Sequence, residues 1–369
     1  MLLHNRKVTT SVGLCTMELM KHHGHALYCL FACVLLYNFL FWSKNLLLLN
    51  QIGTSQPQCL QENITILLWH WPFGVHHKLD ENVCLNKYRI PGCYLDDNKS
   101  IFTQADVVVF HHHELWTGRS KLPLHLSRPP MQKWLWLSLE PPMNNHNLSN
   151  YNGLFNWTMS YRRDADIFMP YGQLLSKNVP NDTYVIPKKG DCLICWVVSK
   201  YKANQNRSLV FQQLKKHIPS KLIEIYGHWL KRPLSNNKLL STISRCYFYL
   251  AFENSISTDY ITEKLWRNSL QAGSVPVVLG PPREIYELSI PPESFIHVND
   301  FSSTKALASF LNQVAANRTH YESYFRWHHY YNVRTYTDWR ERLCNICIHY
   351  HQLSKHKKVY SDLYSWVNR

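Results

Sequence analysis

Apolar residues in this chain gather into short runs set apart by polar segments, and the first run differs from the rest. Residues 26–42 read ALYCLFACVLLYNFLFW, 17 positions with no charge and Asn38 as the strongly polar interruption. That length reaches the lower bound for a membrane-spanning helix. Lys44 closes the run, no small-residue cleavage site follows it, and about 25 residues precede it. The pattern predicts an uncleaved signal anchor over 26–43. Arg6, Lys7 and Lys21 on one side against Lys44 on the other put the tail, 1–25, in the cytosol and the bulk of the chain in a lumen. Residues 44–62, polar with Gly53, Ser55 and Pro57, read as a stem.

Beyond the stem the runs are short and β-prone: 64–69 (ITILLW), 105–110 (ADVVVF) and 133–139 (KWLWLSL). Near-continuous apolar strands fit a sheet covered on both faces. The pattern weakens between 172 and 190, where Pro180 and Pro187 stand among polar residues. A second series follows at 193–198 (LICWVV), 222–226 (LIEIY), 247–252 (YFYLAF), 275–279 (VPVVL) and 295–298 (FIHV). Helical stretches at 208–216 and 261–272 separate its members, and 305–327 reads as one long helix. This alternation, occurring twice, predicts an α/β fold with two Rossmann-like domains facing each other across a cleft. The boundaries it gives are 63–180, 181–349 and a basic, aromatic segment at 350–369.

Composition narrows the partner. The 369 residues are 45% hydrophobic and 18% charged, enough for a substantial core and about two domains. The formal charge is +15, which points to an anion: nucleic acid, phospholipid, or a phosphorylated or sialylated small molecule. Lumenal placement removes nucleic acid. Seven acceptor sequons, at Asn63, Asn98, Asn147, Asn156, Asn181, Asn206 and Asn317, all lie beyond the anchor and agree with the topology. Of 11 cysteines, Cys15, Cys29 and Cys33 fall in the tail or anchor, and eight remain: Cys59, Cys84, Cys93, Cys192, Cys195, Cys246, Cys344 and Cys347. An even number in an oxidising lumen suggests disulfides; the Cys-x-x-Cys spacings at 192–195 and 344–347 leave zinc as the alternative.

Chemistry concentrates at Phe252-Glu253-Asn254-Ser255 and Asp259-Tyr260-Ile261-Thr262-Glu263-Lys264. The first group ends a strand and the second opens a helix. Ligands of open α/β sheets bind at that edge, where helix N-termini present free N–H groups to anions. Lys264 adds a cation suited to a diphosphate; a capped helix with a solvated Glu–Lys pair is the structural alternative. Residues 272–280 read as a buried strand and scaffold.

The run FYLAFENSISTDYITEKLWRNSLQAGSVPVVLGPPRE, ending at Glu284, resembles the signature of the Golgi α-1,3-fucosyltransferases, glycosyltransferase family 10. The resemblance extends to TILLWHWPF (65–73), VVFHHHEL (108–115), FNWTMSYRRDADIFMPYG (155–172), CWVVS (195–199) and TDWRERLCNICIHY (337–350), so it spans essentially the whole lumenal region. EKLWRN, WHWPF and the last segment are most similar to the branch that makes sialyl Lewis x. The resemblance implies a GT-B fold and GDP-fucose as donor. It implies inversion at the fucose anomeric carbon, no catalytic metal, and O3 of a β-linked N-acetylglucosamine as acceptor. It makes 63–180 the acceptor-binding domain, 181–349 the GDP-fucose-binding domain, and the Golgi membrane the location.

Inversion needs one general base and something to neutralise the departing diphosphate. The resemblance assigns the base to Glu140, although this chain reads Glu140-Pro141-Pro142 where the family has Glu-Ser-Pro, and Met143-Asn144-Asn145-His146 where it has Ser/Thr-His. It assigns the diphosphate clamp to Arg207 and Lys264, and donor contacts to Ser199, Glu253, Asn254, Ser255, Tyr260 and Glu263. Arg207 is the middle residue of the Asn206 sequon, so a glycan there would crowd the nucleotide, and Asn206 is expected to stay unmodified. On the acceptor side it implicates His111, His112 and His113. Three consecutive His cannot all point one way from a strand, which argues against a shared metal. The family has Arg or Trp at the third position, associated with acceptor choice; His113 is neither, and type 2 chains are the expectation. His70 and Trp71, with Trp69 and Phe73, form a candidate aromatic acceptor wall.

Asp164-Ala165-Asp166 imitates a metal-binding Asp-x-Asp, but with Arg162 and Arg163 before it the run reads as an ion-pair network. The competing readings are a metal-dependent transferase using that pair, an enzyme acting mainly on unsialylated acceptors, and an anchored carbohydrate-binding protein without catalysis. The chain could also pair as a homodimer. For the disulfides the family resemblance leaves open local pairs (Cys84–Cys93, Cys344–Cys347) or crossed ones tying the first domain to the C-terminal segment, and leaves Cys59 and Cys192 unassigned; Cys195 with Cys246 would cross-link two strands of the second domain.

Overall fold

The computed structural model describes residues 63–369. The expected tail, anchor and stem, with Cys15, Cys29, Cys33 and Cys59, lie outside the described residues. Among the described residues no helix is long and apolar enough to cross a membrane.

The first apolar runs form a parallel sheet. Its strands are β1 (Ile64–Leu68), β2 (Cys93–Asp96), β3 (Val107–His111), β4 (Lys133–Ser138), β5 (Trp157–Ser160) and β6 (Ile167–Phe168), in the order β2-β1-β3-β4-β5-β6. Val107, Val108 and Val109 are all buried, so neither face of β3 meets water. That is why its sequence shows no alternation. After β7 (Gly172–Ser176), a second parallel sheet gathers β8 (Cys192–Val197), β9 (Ile223–Tyr226), β10 (Cys246–Phe252), β11 (Val275–Leu279) and β12 (Ile296–His297) in the order β12-β11-β10-β8-β9. The described residues are therefore an α/β structure with two parallel sheets.

The helix Thr304–Ala316 lays Leu307, Leu311 and Val314 on the second sheet and is capped by Ser303, whose hydroxyl accepts the Ala306 N–H at 3.1 Å. The single helix expected over 305–327 breaks at Asn317. Its ψ is 101° and its side chain caps a separate short helix, Arg318–Ser323, by accepting the His320 N–H at 3.0 Å. Asn competes with the helix backbone for such bonds and favours caps.

The chain crosses between the lobes twice, and the two crossings pair. β7 runs antiparallel to β13 (Tyr331–Thr335). At the start of this ribbon, a Cβ on Gly172 would stand 2.6 Å from the Trp266 side chain and 2.8 Å from the Arg334 carbonyl, so only glycine fits. After β13 the helix Trp339–Leu353 buries Leu343, Cys344, Ile346 and Cys347 in the core of the first sheet. The helix Leu363–Asn368 buries Leu363 and Trp366 in the same lobe's other apolar cluster. The segment expected to close the second domain, up to 349, thus packs into the first.

Disulfides Cys84–Cys344 and Cys93–Cys347 fix that return, so the crossed arrangement forms and the local pairs do not. In the second sheet the parallel register sets Cys246 beside Cys192 and Tyr249 beside Cys195. The third disulfide is accordingly Cys192–Cys246, not Cys195–Cys246, and Cys195 is a buried free thiol. Both Cys-x-x-Cys pairs are therefore broken up by disulfide bonding rather than held on a metal.

Candidate active site

The carboxyl ends of both sheets supply the residues singled out by sequence. Glu140 follows β4 and is half-buried. Its Oε2 accepts the Asn144 side-chain N–H at 2.7 Å, and its backbone N–H reaches Ser138 Oγ at 3.2 Å. Asn145 holds the loop from beneath. Its Oδ1 accepts the Ser138 hydroxyl at 2.7 Å, its Nδ2 donates to the Glu140 carbonyl at 3.2 Å, and its carbonyl lies 2.7 Å from His112 Nε2. The Pro in place of Ser therefore leaves an ordered turn, with Asn145 as its anchor. Tyr171 adds a second anchor by donating its hydroxyl to the Leu139 carbonyl at 2.6 Å. Burial pushes the Tyr171 phenol far up, so it remains a donor.

His112 is buried, and burial lowers its pKa to about 4. A neutral ring whose Nε2 faces a carbonyl carries its proton on Nε2. His111 is also buried, with Nδ1 on the Glu114 carboxylate. Burial, the largest single influence, would raise Glu114, but the bond and charge of His111 together with backbone N–H donors outweigh it and the carboxyl sits below its usual range. The other Glu114 oxygen accepts the Phe73 N–H at 2.8 Å. Phe73 has a left-handed backbone (φ 57°) and an exposed ring, 5.0 Å from the rings of both His111 and His113.

The expected acceptor wall thus divides. Phe73, His113 and His70 reach the surface, while His111, His112 and Trp71 lie beneath and support it. Trp71 donates its indole N–H to Asp97 at 2.6 Å, and Trp69 sits in the core. His70 stands 3.1 Å from Lys99 Nζ; burial and that cation lower its pKa. Glu114 escaped the sequence reading, although its spacing of three from His111 on a helical turn was the available signal.

In the second lobe, Glu253 directly follows β10 with its carboxylate buried. One oxygen accepts the Thr262 N–H at 2.8 Å and its hydroxyl at 2.9 Å; the other pairs with Lys264 Nζ at 2.9 Å. The expected donor contact by Glu253 is therefore replaced by a supporting role, because both its oxygens are taken inside the protein. Burial raises the Glu253 pKa, opposed by Lys264. Burial would lower Lys264, but Glu253 and Glu263 outweigh it and hold the ammonium well above its ordinary value. Glu263 is exposed, 3.1 Å from the same ammonium.

Arg207 lies buried at the start of the helix Asn206–Leu214, its guanidinium on Gln205 Oε1 (3.2 Å) and the Lys200 carbonyl (2.5 Å). Burial lowers its pKa, and Glu253 and Glu263 oppose this. Ser199 is exposed beyond β8, and Asn254 has a buried Oδ1 without a partner among the described residues. Ser255 hydrogen-bonds Ser257 at 3.2 Å.

Tyr260, the residue expected to flank the nucleotide, is buried. It is 3% exposed and packs edge-on against Tyr161 at 5.0 Å in the core of the first lobe. Next to it, Asp259 (φ 61°) accepts the Arg163 N–H at 2.9 Å, and Arg163 reaches Ser289 Oγ at 2.6 Å. These contacts join the two lobes.

The Asp-x-Asp carboxylates diverge. Asp164 pairs with Arg162 at 2.8 Å, and Asp166 meets Lys358 (2.6 Å), Tyr360 Oη (2.8 Å) and the Thr158 N–H (2.8 Å). They form the ion-pair network that the neighbouring arginines suggested. Of the sequons, Asn63, Asn98, Asn147, Asn181, Asn206 and Asn317 are exposed. Asn156 is not available. Its Oδ1 accepts from Arg128 and from the Trp134 N–H (2.9 Å), and its Nδ2 donates to the Lys358 carbonyl at 2.8 Å.

Two family descriptions match this chain. "Fucosyltransferase, N-terminal" covers residues 61–172, and "Glycosyltransferase family 10 (fucosyltransferase) C-term" covers 186–366. The chain is 46% identical to alpha-(1,3)-fucosyltransferase 7 of Homo sapiens over 315 residues, 85% of this chain and 88% of that protein. It is 41% identical to 4-galactosyl-N-acetylglucosaminide 3-alpha-L-fucosyltransferase 9 of Rattus norvegicus, covering 82% and 81%. A crystal structure of an alpha1,3-fucosyltransferase with GDP-fucose shares the fold, with a TM-score of 0.52 at 15% identity over 84% of this chain and 94% of that one.

Proposed function

Because the chain belongs to the family 10 fucosyltransferases, we propose that its two lobes form a GT-B cleft in which Glu140, Arg207 and Lys264 carry the reaction. The enzyme is an α-1,3-fucosyltransferase. Its donor in this reading is GDP-fucose, and its acceptor is the N-acetylglucosamine O3 of sialylated type 2 N-acetyllactosamine. The product is a sialyl Lewis x-type structure, made at the Golgi membrane.

Glu140 takes the proton of the acceptor O3. That oxygen attacks the fucose anomeric carbon from the face opposite the nucleotide, the carbon–phosphate oxygen bond breaks, and its electron pair leaves with GDP. Arg207 and the Lys264 ammonium neutralise the diphosphate as charge develops on it. Glu263, exposed beside Lys264, serves the sugar hydroxyls or the ribose. With two protein cations for the leaving group, the reaction needs no metal.

The observation that supports this reading best is the fixing of Glu140 by Asn144 on one side of the cleft, with Lys264 fixed by Glu253 on the other. The test is product analysis with full-length enzyme, GDP-fucose and matched sialylated and unsialylated type 1 and type 2 acceptors, with and without EDTA. Transfer to sialylated type 2 chains that survives EDTA, and falls at least 1,000-fold in Glu140→Gln, is expected on general-base grounds. Loss with EDTA would revive the metal-dependent reading. Preference for unsialylated chains would shift the acceptor, and an active Glu140→Gln would remove the base.

A further inference from the structure

Glu140 reacts with one hydroxyl of one sugar, and Phe73, His113 and His70 are the surface groups so far placed on the acceptor side. Beside the Glu140 loop, Trp116 and His146 lie ring on ring, centroids 3.8 Å apart and planes 8° from parallel. Trp116 remains 48% exposed, and His146 is exposed as well. The His146 backbone stands at φ 53°, ψ −146°, a region that suits glycine and strains any other residue.

The strain is held by Asn145, fixed from three sides by Ser138, Glu140 and His112. A histidine kept at a glycine position, with its ring laid against an open indole, is an arrangement the fold does not need for packing. Strained backbone of this kind clusters at ligand sites.

The platform is continuous with the chemistry. Asn144 bonds the Glu140 carboxylate at 2.7 Å. His146 follows two residues later, so the two Cα atoms are at most about 7.6 Å apart. An indole face is electron-rich and meets the slightly positive C–H face of a pyranose.

We propose that Trp116, backed by His146, is a stacking subsite for a second sugar ring of the acceptor, beyond the one that receives fucose. This rests on the transferase reading and extends it from the reacting hydroxyl to the glycan around it.

The test compares full-length wild type, Trp116→Ala, Trp116→Phe and His146→Ala on N-acetyllactosamine disaccharide and on its tri- and tetrasaccharide extensions. Glycan binding is measured in parallel by calorimetry. Trp116→Ala should raise KM for the extended acceptors about tenfold. The disaccharide and GDP-fucose KM values should change less than twofold. Phe at 116 should restore part of the loss, and His146→Ala should give a smaller one. Equal losses on all acceptors, or none on the extended ones, would overturn the subsite. Wild type that binds the extended glycans but transfers no fucose would instead overturn the transferase reading, and the calorimetric comparison of Trp116→Ala would still decide the platform.

Discussion

Glu253 and Lys264 form an ion pair with 2.9 Å between carboxylate oxygen and ammonium, and Glu253 is 3% exposed. The cation proposed to meet the diphosphate is therefore held by a carboxylate that cannot itself reach the ligand. Removing the Glu253 charge leaves the mostly buried Lys264 with only the exposed Glu263 as its counter-charge. Glu253→Gln should lose about 3 kcal/mol of stability and weaken GDP binding at least tenfold, read by denaturant melts and calorimetric titration. A variant with wild-type melting and GDP affinity would show the pair to be idle.

His112 makes the fold sensitive to acid. Its folded pKa is lowered to about 4 by burial, against about 6.5 in the unfolded chain. Between those values the unfolded chain binds a proton that the native ring refuses, so stability falls as pH drops from 6.5 towards 4 and levels off below. The span corresponds to a loss of about 3 kcal/mol. Melting temperatures across that window should slope less steeply in His112→Gln than in wild type; parallel slopes would assign the acid sensitivity elsewhere.

The sequons separate by burial of their amides. Asn156→Gln should leave the glycosylated protein's gel mobility unchanged and cost about 1–3 kcal/mol, because the Trp134 N–H and Arg128 lose their acceptor. Asn317→Gln should increase mobility by one glycan. A mobility shift in Asn156→Gln would contradict the hydrogen-bond network drawn around it.

Cys195 and Cys192 should behave as opposites. Cys195→Ala keeps all three disulfides of the described residues, whereas Cys192→Ser opens a link between residues 54 positions apart, worth about 4 kcal/mol on the loop-entropy scale. Non-reducing peptide maps should join 84 to 344, 93 to 347 and 192 to 246. A 195–246 peptide would overturn the register.

Strands buried on both faces were legible because their runs are continuous: β3 and β11 stand where the pattern puts them. β2 and β13 were not, since Cys93–Asp96 and Tyr331–Thr335 mix polar residues and are short. The ladder register that separates Cys192 from Cys195 depends on pairing across 54 residues, which no local pattern records. Motif and strand-end position single out Glu140 and Lys264 as candidates. Glu253 and Tyr260 lay in the same motif, yet only their burial reveals that one supports a cation and the other joins the lobes. The supporting Asn145 sits where the chain departs from the family pattern, so resemblance pointed away from it.

The nested path of the chain has a consequence during synthesis. Cys84 finds Cys344 only after 260 further residues, and at 5–20 residues per second that takes about 13–50 s. Until then Cys84 and Cys93 lack their native partners, while the second sheet, contiguous in sequence, can already close. Formation of the native disulfides requires that the two early thiols stay reduced, or that a premature bond between them is undone. The helices Trp339–Leu353 and Leu363–Asn368, made after the second sheet, complete the lobe that was begun first.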